Sequence, residues 1–234
     1  HCTYNVAKYV PHMSSITDIR EDLLNNGQYP KQLDGLTVDG ELYGNHFLVM
    51  NSRVFLYRED LISELLNNTE WQQTYGDLSE EHLGERMSPK PVSEWDWQDY
   101  MAAAIFFTQE HNPDSPTEYG TAVYGKSGMM TTPFAFMTML RSKGGQLMDP
   151  DTLEPTLDTE AARETMQTYM DMRDLNVFPS DVETYEYMKT QNALQTGTVA
   201  FSTHFNAGWP DLNDPEATDY AGDFGISYPP GDRQ

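Results

Sequence analysis

The alternation of apolar and polar positions is clearest between residues 119 and 149. Tyr119 to Tyr124 is β-branched and aromatic and predicts a strand. Gly125-Lys126-Ser127-Gly128 interrupts it. Thr132 is placed to N-cap a helix that starts at Pro133, and Phe136, Met137 and Leu140 give that helix an apolar face. Gly144-Gly145 ends it, since one glycine can take the left-handed conformation after a helix. The helix N-terminus, with Thr131 and Thr132, is then available to a ligand.

The same reading along the chain predicts a helix through Ile16–Leu24 and a hairpin turning at Asp39-Gly40. From His46 to Tyr57 the chain is strand-like, with a polar break at Asn51-Ser52-Arg53. Unpaired polar groups are costly in a buried strand pair, so that break marks a loop or a site. A short helix over Asp60–Leu66 and a polar, irregular stretch over 67–94 follow. Trp97–Gln109 reads as an amphipathic helix with Tyr100, Met101, Ala104, Ile105 and Thr108 on one side. Residues 110–118, with two prolines and no apolar side chain, form a linker. A helix from Asp158 or Thr159 to about Asn176 turns Ala162, Met166, Tyr169 and Met170 inward, and Tyr185–Gln195 is another. Val199–Thr203 and Phe224–Tyr228 are strands. Helices alternating with strands define an α/β class with largely parallel sheets.

Charge narrows the partners. The 234 residues include 37 acidic and 14 basic side chains, a net charge of −23, which opposes nucleic acid and anionic membrane surfaces alike. The carboxylates are spread along the whole chain, a distribution that serves solubility or adaptation to high salt. No run of the chain has the apolar length of a membrane span, and no leader is visible at the start of the sequence, so the protein is cytosolic or its leader lies outside this sequence. The single Cys2 excludes an internal disulfide and a cysteine-based metal site.

Catalytic and cofactor motifs are missing. The sequence has no Gly-x-Ser-x-Gly elbow, no phosphate-binding glycine loop and no His-x-x-x-His pair, so neither cofactor nor metal is expected. Aromatic residues instead sit beside polar breaks at strand ends: Tyr57 after Asn51-Ser52-Arg53, Phe134 and Phe136 after Thr131-Thr132, and Trp209 after Asn206-Ala207-Gly208. Carbohydrate recognition uses this mixture, with flat rings against sugar C–H faces and planar polar groups against hydroxyls. A core role is the ordinary fate of such aromatics; Trp97 and Phe136 fit it, whereas Trp209, on a glycine-containing loop, is the better platform.

Six segments then occur in the order of a known family. Asp39-Gly40-Glu41-Leu42-Tyr43-Gly44, Ser52-Arg53-Val54-Phe55-Leu56-Tyr57-Arg58-Glu59-Asp60-Leu61 and Trp97-Gln98-Asp99-Tyr100 come first. Ser142-Lys143-Gly144-Gly145, Gln195-Thr196-Gly197-Thr198-Val199-Ala200-Phe201 and Asp214-Pro215 through Pro229-Pro230-Gly231 follow. Together they resemble the extracellular solute-binding proteins of sugar ABC transporters, the group that includes maltose-binding protein. The chain departs from the family pattern where Gly44-Asn45-His46 lacks the usual proline, where Asn51 replaces an aspartate and where Thr198 replaces a lysine.

The resemblance implies a two-lobe, type II periplasmic-binding-protein-like α/β fold, with the first lobe incomplete in this chain. Residues 1–109 would be part of the N-terminal lobe and 119–226 the C-terminal lobe, with hinge crossings at 110–118 and 227–234. Asn51, Arg53 and Tyr57 would line one wall of a cleft, and Thr131, Thr132, His204 and Trp209 the other. The implied activity is capture of a sugar or polyol by a monomeric receptor for the permease subunits of an ABC importer. Its place would be periplasmic or extracellular, with a lipid anchor as one means of retention. A carbohydrate-active enzyme, or the same fold with a solute such as a glycerol phosphodiester, are the alternatives.

Overall fold

The computed structural model describes residues 6–45, 52–128, 132–149, 152 and 154–231. The chain divides into two compact units, 1–51 and 52–234.

In the first unit, the short helices α1 (Val6–Tyr9), α2 (Arg20–Asn25) and α3 (Pro30–Asp34) accompany a hairpin of β1 (Thr37–Val38) and β2 (Glu41–Leu42). The expected turn forms at Asp39 and Gly40, both at positive φ (52° and 83°), as a two-residue hairpin loop requires. Leu33, Leu36 and Leu42 make a small core covered by Val6, Ile16, Leu23 and Leu24. Thr17 ties this core to the hairpin: its hydroxyl donates to the Glu41 carboxylate at 2.7 Å and accepts from the Leu42 N–H at 2.8 Å. With the Ser15 hydroxyl, that bond holds the Glu41 pKa below the usual carboxylate range.

The second unit is built on four strands, β3 (Arg53–Arg58), β4 (Tyr119–Ala122), β5 (Val199–Phe205) and β6 (Phe224–Ser227), in the spatial order β4-β5-β3-β6. β4 and β5 are parallel, while β3 is antiparallel to both its neighbours, so the sheet is mixed rather than largely parallel. Between β3 and β4 come α4 (Glu59–Asn67), α5 (Thr69–Leu83) and α6 (Trp97–Phe106). Between β4 and β5 come α7 (Thr132–Ser142), α8 (Glu160–Asp174) and α9 (Tyr187–Gln195), and α10 (Trp209–Leu212) follows β5. Strand alternation sends Phe55 into one core with Trp95, Tyr100, Phe106, Phe107 and Phe201, and its neighbour Leu56 into another with Leu194, Leu212 and Phe224. α6 lies so close on β4 that a Cβ at Gly120 would come within 2.1 Å of the Ala104 carbonyl oxygen.

This topology moves the expected domain boundary. Residues 53–58 pair with 199–205, which pair with 119–122, so both sides of segment 110–118 belong to one sheet. That segment lies inside the second unit, pinned by Asn112, Ser115 and Thr117 side-chain bonds to nearby carbonyls, and the units part at 51/52 instead.

Three local expectations also shift. Residues 69–83 form a 15-residue helix where an irregular stretch was expected; the Asn68 side-chain Oδ1 caps it by accepting from the Glu70 and Trp71 N–H groups. On α7 the buried residues include Ala135, Met139 and Leu140, with Phe136 and Met137 only half-buried, so the inward face is rotated. On α8, Ala162, Thr165 and Met172 are buried, whereas Met166 and Met170 are exposed. Among the described residues, no helix is long and apolar enough to cross a membrane.

Candidate functional site

The beginning of β3 and the ends of β4 and β5 meet at one edge of the second unit. Arg53 is opposite Phe205 in the β3–β5 register. Beyond it, Ser52 and Asn206 lock the strand ends together: the Asn206 N–H donates to the Ser52 carbonyl, and the Ser52 N–H to the Asn206 Oδ1, each at 3.0 Å. Because β4 and β5 are parallel, this is the carboxyl end of that pair, where α/β sheets open their ligand crevices.

Arg53 dominates the chemistry here. Its guanidinium carbon lies 4.6 Å from the centre of the Tyr124 ring and 4.8 Å from that of Phe205. All three guanidinium nitrogens are buried and none makes a well-formed hydrogen bond; the Tyr124 hydroxyl, itself buried, lies close enough to give the cation only a loose one. Desolvation draws the Arg53 pKa down from its usual value, and the facing tyrosines 124, 169 and 100 restore part of it. Burial likewise pushes the Tyr124 hydroxyl far up, so it is neutral and able to donate. An unpaired buried polar group is expensive, which makes this cluster the least self-satisfied place among the described residues.

His204 plays a supporting part. It is fully buried, its Nδ1 accepts from the Phe205 N–H at 2.8 Å, and its Nε2–H faces the Tyr187 carbonyl at 3.3 Å. Burial pushes its pKa down to about 4, so the ring is neutral. Its edge packs against Tyr124 and Tyr187, and it positions the aromatic wall rather than facing solvent. Tyr187 in turn stacks on Phe205 at 6.3 Å and 27°, both rings half-buried. Gln191 is buried beneath, donating to the Gly208 carbonyl at 3.0 Å while its own Oε1 has no partner.

The other expected residues fare differently. Tyr57 is four residues along β3 from Arg53, roughly 13 Å at strand spacing, and its ring stacks on Phe55 at 5.4 Å. It also covers Gly225, where a Cβ would meet the ring at 2.3 Å, so Tyr57 belongs to the packing of β3 on β6. Trp209 is half-buried at the start of α10 and packs against the core of Leu56, Leu194 and Leu212. Asn51 and Thr131 lie outside the described residues, as does the Thr132 side chain. Sequence reasoning passed over Tyr124, Phe205 and Tyr187; the glycine turn after Tyr124 and the polar break after Phe205 were their only local signals.

A separate groove of about 420 Å³ lies among α5, α6 and α8, lined by His82, Leu83, Gln98, Met101, Asp171, Asp174 and Leu175. It offers carboxylates and no broad aromatic face, so it suits ring stacking poorly. Among the described residues, no three His, Cys, Asp or Glu side chains converge as a metal site.

A family model for bacterial extracellular solute-binding proteins matches residues 3–234. The chain belongs to this family. Its members act outside the bacterial cytoplasm, in the periplasm or extracellularly. Comparison with curated proteins gives no match. Among solved structures, the chain is similar to an ABC transporter solute-binding protein of Agrobacterium radiobacter in complex with ribitol, at TM-score 0.72 and 19% identity. That match covers 98% of this chain and 51% of the other. A homologous binding protein of Agrobacterium vitis with bound D-mannitol gives 0.70 and 21%, covering 98% and 49%. Maltose-bound MalE3 of T. maritima gives 0.67 and 18%, covering 97% and 50%. The chain therefore shares the α/β fold of these binding proteins over the part it matches, and it spans about half the length of the solved chains.

Proposed function

We propose that this solute-binding protein captures a sugar or polyol and delivers it to the permease of an ABC importer, without chemical change to the solute. In this reading the second unit is one lobe, and its contribution to the solute site is the edge formed by Arg53, Tyr124, Tyr187 and Phe205. The observation that carries the reading is the buried guanidinium with no well-formed hydrogen bond and no carboxylate partner, lying against the adjoining rings of Tyr124 and Phe205. Its N–H fork would give charge-assisted hydrogen bonds to the solute, and the half-buried rings would take the apolar C–H faces. The partly exposed Trp209 would widen that aromatic surface, and Thr131, Thr132 and Asn51 remain assigned to the ligand by family resemblance. Neighbours that hold ribitol, D-mannitol and maltose support the solute class. A carbohydrate-active enzyme would instead need two carboxylates flanking the solute; the groups facing Arg53 are tyrosines.

The test is a thermal-shift screen of the protein with sugars and polyols. A ligand at 100 times its Kd adds about 2.7 kcal/mol of stability by mass action. A rise in Tm with at least one carbohydrate, reduced in Arg53→Gln, is the expected result. No shift with any carbohydrate would overturn the reading.

A further inference from the structure

The setting of Arg53 says more about the solute than that it is hydroxylated. The protein has 37 carboxylates for 14 basic residues, so acidic partners are abundant. The other described arginines reflect this. Arg58 is held by both oxygens of Asp60 at 2.6 and 2.7 Å, and Arg20 pairs with Asp34 at 2.9 Å. Arg86 reaches Asp77 and Glu80, Arg163 pairs with Asp158 and Arg173 with Asp174, while Arg141 is exposed to water. Arg53 alone among them combines buried nitrogens that lack a well-formed hydrogen bond with the absence of a carboxylate partner among the described residues.

Two rings packed against a guanidinium compensate only part of its desolvation, and with one loosely placed hydroxyl they leave most of its N–H donors without an acceptor. A neutral hydroxyl bonds such a fork one atom at a time. A carboxylate matches it with two parallel bonds and cancels its charge. Among the described residues, the groups that act on the guanidinium are the hydroxyls of Tyr124, Tyr169 and Tyr100 and the neutral His204, its Nδ1 occupied by the Phe205 N–H, so Arg53 supplies one positive charge there with no second cation against it. One cation suits a monoanion and leaves a phosphate dianion half-compensated. We propose that the solute is a polyhydroxylated acid, a sugar carrying a carboxylate, with that carboxylate paired to the Arg53 guanidinium. This inference rests on the sugar-or-polyol reading above and narrows it.

The test is calorimetric titration of the protein with matched pairs: ribitol and ribonate, mannitol and mannonate, glucose and glucuronate, galactose and galacturonate. The acid of at least one pair should bind about tenfold or more tightly than its neutral partner. The methyl ester of a bound uronate keeps the shape and loses the charge, and should bind like the neutral sugar. Arg53→Gln should remove the preference for the acid and keep a folded thermal transition; if that variant does not fold, the ester comparison on the unaltered protein decides. Neutral members binding as well as or better than the acids would overturn this inference and leave the sugar-or-polyol reading standing. Failure of every carbohydrate, neutral or acid, would overturn both.

Discussion

Replacing Arg53 by methionine isolates the physics on which the site assignment depends. The perturbation keeps an unbranched side chain of similar length and removes the charge. A charge buried without a polar partner costs several kcal/mol after relaxation, taken here as about 5 kcal/mol. The two stacked rings return about 1–2 kcal/mol each, because the contact is desolvated. The guanidinium should therefore destabilise the free protein by a net 1–3 kcal/mol, roughly, and Arg53→Met should recover that amount. For a chain of this size each kcal/mol moves Tm by about 2–4 °C, so a rise of about 2–12 °C is expected in differential scanning calorimetry without solute. Arg58→Met is the internal control. That guanidinium is bound bidentately by Asp60 and stacked over Tyr220 at 3.7 Å, so its loss should lower Tm. A fall in Tm for Arg53→Met comparable to that of Arg58→Met would refute the reasoning: Arg53 would then be a structural strut, and its burial would say nothing about a solute.

Three further outcomes follow from the same geometry. His204 is neutral in the fold with a pKa of about 4 against 6.5 unfolded, so its contribution to stability is complete above pH 6.5 and is lost as pH falls towards 4. Those roughly 2.5 pH units at 1.36 kcal/mol each amount to about 3 kcal/mol; urea unfolding across that window should show the loss, and His204→Gln should flatten it. Gly225→Ala forces a methyl group into the Tyr57 ring at 2.3 Å and should cost about 1–3 kcal/mol in chemical unfolding, while solute affinity stays within about twofold, since Tyr57 lies roughly 13 Å along β3 from Arg53. Raising KCl from 0.1 M to about 2 M screens a net charge of −23 and should raise Tm; an unchanged or lower Tm would exclude adaptation to high salt.

The hairpin at Asp39-Gly40, the strands carrying Arg53–Tyr57 and Val199–Thr203, and the helix from Trp97 were legible because local turn chemistry and periodicity agree with the tertiary packing. The helix at 69–83 was not, because its buried face is made of Tyr75, Gly76, Leu78 and Ser79, a mixture that carries little apolar signal. The boundary at 51/52 was hidden for a different reason. The proline-rich 110–118 has the composition of a linker, yet β5 reaches back across the chain to pair β4 with β3, which no local pattern announces. Arg53 was picked out by its polar break. The rings that enclose it, Tyr124 and Phe205, lie 71 and 152 positions further on, and only the sheet register unites them. Tyr57, expected beside Arg53, shares its face of β3 but stands four residues along the strand, where its ring stacks on Phe55.

The central claim is that solute binds where β3 begins and β4 and β5 end. Hydrogen-exchange mass spectrometry on the protein with and without a carbohydrate that raises its Tm tests this most directly. The account predicts slower exchange in peptides covering Ser52–Val54, Val123–Gly125, Tyr187–Gln191 and Thr203–Trp209, with no change around His82, Met101 and Asp171. Protection confined to the groove among α5, α6 and α8, with the Arg53 edge unchanged, would contradict it.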